Sequence, residues 1–185
     1  MSSRVRWLDF DIENRPIAYA GPDWTTADIT AIAASFVDED EVFCFVQTKA
    51  VTSQRTMLKK FLELYNAADG VTGHNIKRHD LGHINGACME LGLPLLGPKL
   101  VCDTYNDLKK KQGISASQEN LAEMFGLEAP KVGMSSIKWR AANRLTRDGI
   151  ERTKERCIGD VIQHKALRAE LLKRDMLRPP RVWRP

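Results

Sequence analysis

A chain of 185 residues suits one domain with a substantial core, or one domain and a tail. Hydrophobic residues at 43% and charged residues at 28% are the proportions of a globular protein, and no apolar run approaches the ~20 residues of a membrane span, which argues against a membrane protein. The net charge of +4 is unevenly divided: residues 1–137 carry 14 Lys and Arg against 18 Asp and Glu, net −4, whereas residues 138–185 carry 14 against 6, net +8.

An acidic region followed by a basic one suits a protein that holds metal ions with the first and a polyanion with the second. A solvated C-terminal helix with a basic tail has the same charge pattern. The cysteines, Cys44, Cys88, Cys102 and Cys157, show no CxxC spacing, and the N-terminus lacks a signal-peptide pattern. They are expected as reduced thiols in a cytoplasmic protein.

In Trp7-Leu8-Asp9-Phe10-Asp11-Ile12-Glu13 the apolar residues alternate with carboxylates. Period-two alternation predicts a strand with Asp9, Asp11 and Glu13 on one face. Carboxylates so placed repel one another unless solvent or a cation separates them: a solvated edge strand is one reading, and binding of Mg²⁺, which takes oxygen ligands, by Asp11 and Glu13 is the other. The following loop carries Tyr19 and Trp24, read as packed lids or as base-stacking platforms.

Residues Ile29 to Val37 and Glu41 to Val46 read as strands joined by an Asp38-Glu39-Asp40 turn, so the first three strands form an antiparallel meander. A helix capped by Thr52 or Ser53 follows, with Met57, Leu58, Phe61, Leu62, Leu64 and Tyr65 at helical spacing. The short run Val71-Thr72 leads into Gly73-His74-Asn75, and a second helix spans about His79 to Leu91. Val101 to Thr104 reads as a strand entering a helix through Leu108, and Gln118 to Phe125 as another helix.

Residues 131–150, containing Lys131, Lys138, Trp139, Arg140, Arg144 and Arg147, read as irregular. The last helix is predicted over roughly 151–175. Residues 176–185 form a basic, Pro-rich tail expected to be mobile beyond a single domain over 1–175. Strand–helix alternation after a meander predicts α/β: a mixed sheet with parallel strands, flanked by helices.

Three stretches together resemble one superfamily. LDFDIE (8–13) is similar to the first motif of DEDD, or DnaQ-like, 3′–5′ exonucleases, VTGHNIKRHDLGHI (71–84) to the second, and CIGDVIQHKAL (157–167) to the third. VCDTYNDLKK and NLAEMFGLEAPK, between them, resemble the branch related to family-B polymerase proofreading domains. The resemblance runs to about Leu172.

It implies a ribonuclease H-like fold in which Asp11, Glu13, Asp80 and Asp160 hold two divalent cations, Mg²⁺ or Mn²⁺. Asn14, His74 and Asn75 would seat a terminal nucleotide of single-stranded DNA or RNA. Lys131, Arg140 and Arg144 would line the backbone's approach. Relatives carry a general base four or five residues before the last Asp, and here those positions hold Arg156 and Glu155. Arg156 cannot act as a base, but it could grip a phosphate or neutralise the acids. Glu155 and His164 are the alternatives as base, each otherwise a solvated or packed residue.

His74, His79, His83 and Cys88 also invite a zinc reading, weakened by their spacing. Two functions follow from the resemblance: a metal-dependent exonuclease, or a binding module of the same fold that holds nucleic-acid ends or a partner such as a separate polymerase. A bacterial or phage-encoded protein in the host cytoplasm is the expected setting.

Overall fold

The computed structural model describes residues 5–15, 28–109, 113–127 and 133–185. Six strands form one mixed sheet: β1 (Trp7–Arg15), β2 (Asp28–Phe36), β3 (Phe43–Val46), β4 (Gly70–Gly73), β5 (Lys99–Asp103) and β6 (Arg181–Trp183). Their order is β3-β2-β1-β4-β5-β6, with β1, β4 and β5 parallel and the other pairs antiparallel. Among the described residues, six helices surround it: α1 (Ser53–Ala67), α2 (Asp80–Glu90), α3 (Thr104–Lys109), α4 (Gln118–Met124), α5 (Ser136–Asn143) and α6 (Arg147–Lys173). An antiparallel meander extended by parallel strands is the ribonuclease H-like sheet expected above.

The alternation in β1 sorts the two faces of the sheet. Leu8, Phe10 and Ile12 pack with Met57, Leu58, Phe61 and Tyr65 of α1 and with Leu81, Ile84 and Cys88 of α2. The opposite face is covered by α6. There β2 offers the small side chains Ala31 and Ala33, against which Cys157 and Val161 pack. Small residues let the helix approach closely, so the acids of β1 lie directly beneath it.

Between Glu13 and Asn14 the β1–β2 register shifts: Glu13 faces Ala31, Asn14 faces Ile29, and Thr30 is extra. Its hydroxyl donates to the Glu13 carbonyl at 3.0 Å. Such a bulge bends the strand where the carboxylates end and re-aims the neighbouring side chains. At the close of β4, Gly73 has no Cβ to meet the Phe10 carbonyl or the Ile76 side chain, so only glycine fits there.

Three local expectations are corrected. Residues 136–143 are helical, capped by Ser135, and α6 starts at Arg147 behind its Thr146 cap. The basic surface of α5 carries little apolar periodicity, and Ala142 is its buried residue. Second, Thr52 precedes α1 without a side-chain cap, while Ser53 bonds Thr48. Third, the tail is not free: Arg181–Trp183 pairs with β5, and Trp183 packs on the core. An extended segment flanked by prolines suits an edge strand, and it satisfies the open side of β5.

Among the described residues, no helix is long and apolar enough to cross a membrane.

Candidate metal centre

Strand and helix periods bring the acids together. Two residues along β1 advance ~6.6 Å and four along α6 advance ~6 Å, so alternate strand residues meet helix residues spaced i, i+4. Asp9 therefore meets His164, Asp11 lies between Cys157 and Asp160, and Glu13 meets Arg156. Carboxylate oxygens of Asp11, Glu13 and Asp160 all lie within 4.8 Å of one another.

Asp80 flanks this cluster without joining it. Its Oδ1 accepts from the Ile12 amide at 3.1 Å, beyond the point where β4 ceases to pair with β1, and its Oδ2 lies 3.2 Å from His79 Nδ1. Its charge still reaches Asp11. Burial raises the Asp11 pKa well above the carboxylate range, and the charges of Asp80, Glu13 and Asp160 push it further. Glu13 is pushed up to about 7, chiefly by burial, with Arg156 acting in the opposite direction. A protein that buries several carboxylates so poorly compensated fits a hard cation with oxygen ligands.

Arg156 already supplies one positive charge. Its Nε donates to Glu13 Oε1 at 2.5 Å, and its Nη2 lies 3.5 Å from Asp160 Oδ2. Behind it, the Trp139 ring centroid lies 5.6 Å from the guanidinium carbon. Of the two roles open to Arg156, the structure displays the pairing with acids. Glu155 is exposed, and its charge acts on Arg152.

His164, one helical turn beyond Asp160, lies inside the fold. Its ring is buried, with Nδ1 at 2.7 and 2.8 Å from the two Asp9 oxygens and Nε2 at 2.8 Å from Thr104 Oγ1. Both nitrogens are engaged one helical turn from the acids. The same hydroxyl lies 2.9 Å from His74 Nδ1, so a buried polar chain runs Asp9–His164–Thr104–His74. Burial, reinforced by His164, lowers the His74 pKa to about 4 and keeps it neutral at ordinary pH.

Asn75 adopts φ 68°, and its amide donates to Asp103 Oδ1 at 3.0 Å. Its enclosed Oδ1 has no hydrogen-bond partner among the described residues, as an acceptor awaiting a donor would. Asp103 also accepts from the Lys77 and Asn106 amides and so clamps this loop. Sequence reasoning gave no role to Asp103 or to Asp9. For Asp9 the signal was its place on the face shared by Asp11 and Glu13; for Asp103 it was a lone acid at the end of an apolar run.

Asn14 lies at the bulge, and His74 and Asn75 follow β4. Arg140 and Arg144 share one face of α5 with Ser136, Trp139 and Asn143, lining an open cavity of about 400 Å³. Two contacts hold α5 in place. Arg15 donates to the Asn143 carbonyl at 2.5 Å while pairing with Asp28, and Gly149 leaves room for Ala141, whose carbonyl a Cβ would strike. Lys131, Tyr19 and Trp24 lie outside the described residues. Among the described residues the four zinc candidates form no joint cluster: the His79 and His83 rings lie 4.3 Å apart, but His74 is engaged with Thr104 and Cys88 packs in the core.

No family model matches the sequence, and no curated protein matches it. Among solved structures, the chain is similar to the family B DNA polymerase from the hyperthermophilic archaeon Pyrobaculum calidifontis, with a TM-score of 0.76 at 19% identity. The likeness takes in 91% of this chain and 25% of that one, so the chain spans about a quarter of the polymerase's length. The fold is ribonuclease H-like α/β.

Proposed function

We propose that the protein is a metal-dependent 3′–5′ exonuclease acting on single-stranded DNA or RNA ends. The convergence of Asp11, Glu13 and Asp160, brought from β1 and from α6 some 147 residues later in the chain, carries this reading. The likeness to a polymerase agrees with the resemblance to the proofreading branch, and supports a polymerase as the partner.

In this reading Asp11, Glu13 and Asp160 hold Mg²⁺ or Mn²⁺, with Asp80 completing the field from α2. The chemistry that bound ions would supply there is activation of a water and stabilisation of the leaving 3′-oxygen. The remaining work falls to the chain's own residues. Asn75, whose side-chain oxygen has no partner among the described residues, would seat the terminal nucleotide beside Asn14 and His74. Arg140 and Arg144 draw the phosphate backbone along α5 toward the acids.

The Arg156 contact favours a second reading. A guanidinium set among the acids, where relatives carry a base, suits a protein that binds nucleic-acid ends and cleaves them slowly or not at all. End-labelled single-stranded DNA and RNA, incubated with Mg²⁺ or Mn²⁺, separate the two. Stepwise shortening that vanishes in Asp11→Asn supports the exonuclease. Retention of the oligonucleotide without shortening supports the binding module.

A further inference from the structure

We propose that Arg156 is a resident cation of the acidic site, so that the protein takes up one divalent ion with the guanidinium in place and gains a second only when Arg156 is removed. This rests on the metal-binding reading above and departs from its expected pair of ions.

Three observations carry it. First, Arg156 spans the cluster: it reaches Glu13 on the strand at 2.5 Å and Asp160 on the helix at 3.5 Å. These are two of the three carboxylates that converge. A divalent ion of this class binds carboxylate oxygens at ~2.0–2.1 Å. An oxygen already receiving a charged N–H has less to offer it, and the guanidinium repels any cation brought beside it.

Second, the contact is structurally enforced. Arg156 lies four residues before Asp160, on the same face of α6. Trp139 stands behind it at 5.6 Å and favours a cation over its ring. Arg156 is about a quarter exposed at its side chain, so its pairing is only partly screened by solvent. Third, Asp11 completes the trio of acids within 4.8 Å of one another, with its Oδ2 3.8 Å from Cys157 Sγ. Its backbone carbonyl accepts from Cys157 Sγ, and it is the ligand through which a single ion would be held beside the guanidinium.

The arrangement also explains how three acids tolerate burial together before metal arrives. The guanidinium offsets the mutual repulsion of the strand and helix carboxylates, which lie within 4.8 Å of one another. In that state Arg156 acts as a positioning residue for the ligands, not as a catalytic group.

Manganese binding to the full chain without nucleic acid tests this, read by calorimetry and by electron paramagnetic resonance of the free ion. The expected result is one Mn²⁺ per wild-type chain and two per Arg156→Gln chain, with the first ion bound roughly tenfold more tightly in the variant. Without metal, Arg156→Gln should melt below the wild type and recover more on adding Mn²⁺ than the wild type does. Two ions in both proteins, or one in both with unchanged affinity, overturns the inference and leaves the metal-binding reading intact. No binding by either protein defeats that reading as well. Should Arg156→Gln fail to fold, anomalous scattering from wild-type crystals soaked in Mn²⁺ decides. A single peak among the acids, with Arg156 still on Glu13, supports the proposal, and two peaks refute it.

Discussion

The seam between β1 and α6 has two ends built on one spacing. At the inner end Asp9 meets His164 with both side chains nearly inaccessible, and the contact continues through Thr104 to His74. At the outer end Glu13 meets Arg156 where the sheet bulges and solvent enters. The partners differ in a way that matters. His164 uses both ring nitrogens on partners within the fold, whereas Arg156 shares acids that crowd one another. The inner end resembles a structural lock, and the outer end retains unresolved charge. Proteins accept such electrostatic strain where function needs it, and neutralising a crowded acid beside the outer end should therefore act with the opposite sign to removing a partner at the inner end.

The largest effect is expected at Asp11. Asp11→Asn removes a buried charge that its neighbours oppose, so the metal-free melting temperature should rise. The same change should abolish stabilisation by Mn²⁺ and lower nuclease activity by about 10²–10³-fold, the scale for losing one group that stabilises transition-state charge. A variant that melts lower and is still stabilised by Mn²⁺ would erase the contrast between the ends.

The inner end should behave in the opposite way. His164→Ala leaves Asp9 buried without its partner, and should cost about 1.5–3 kcal/mol in urea unfolding, the worth of hydrogen bonds to a charged group. A double-mutant cycle with Asp9→Asn should be strongly non-additive, since each change removes the same contact. Additive losses would mean that the two residues stabilise the fold through different neighbours.

How much of this was legible in the sequence depended on the range of the interaction. Alternation in β1 predicted its acid face, and the helical spacing around Phe61 predicted α1, because both patterns are local. The placement of Asp160 over Asp11 was accessible only through the resemblance to a known superfamily. Arg156 was flagged because it lies one turn from Asp160, which leaves the choice between phosphate and acids to the tertiary fold. The Asp9–His164 contact joins residues 155 positions apart, and nothing local distinguishes this histidine from a base. Helix α5 and strand β6 were missed for another reason: their sequences are basic and sparsely apolar, and their order comes from docking onto α6 and β5.

A smaller effect should follow from pH. His74 has a folded pKa of about 4 against an ordinary 6.5, lowered by burial and by His164 from α6, with Asp103 at the end of β5 opposing. A base whose pKa is depressed on folding contributes stability that is complete above ~6.5 and is lost as pH falls toward 4. The urea midpoint of the wild type should therefore decline over that interval more steeply than that of His74→Gln. Parallel declines would place the acid sensitivity elsewhere in the polar chain.

The smallest effect is expected on α5, whose arginines lie outside the seam and test whether the outer end faces nucleic acid. Arg140 and Arg144 lie one turn apart beside Trp139, and their removal leaves no buried group without a partner. Folding should be nearly unchanged. Each phosphate contact to a single strand contributes roughly 0.7 to the slope of log affinity against log salt, so replacing both with Ala should flatten that slope by about 1.4. The loss should be similar for oligonucleotides of different sequence, because backbone charge is all that these side chains would read. A sequence-dependent loss would point instead to contact with bases. An unchanged slope would move the approaching strand off α5, with the arginines around β6 as the next surface to test. That second outcome would separate the acids from the basic face and weaken the link between the seam's open end and substrate entry.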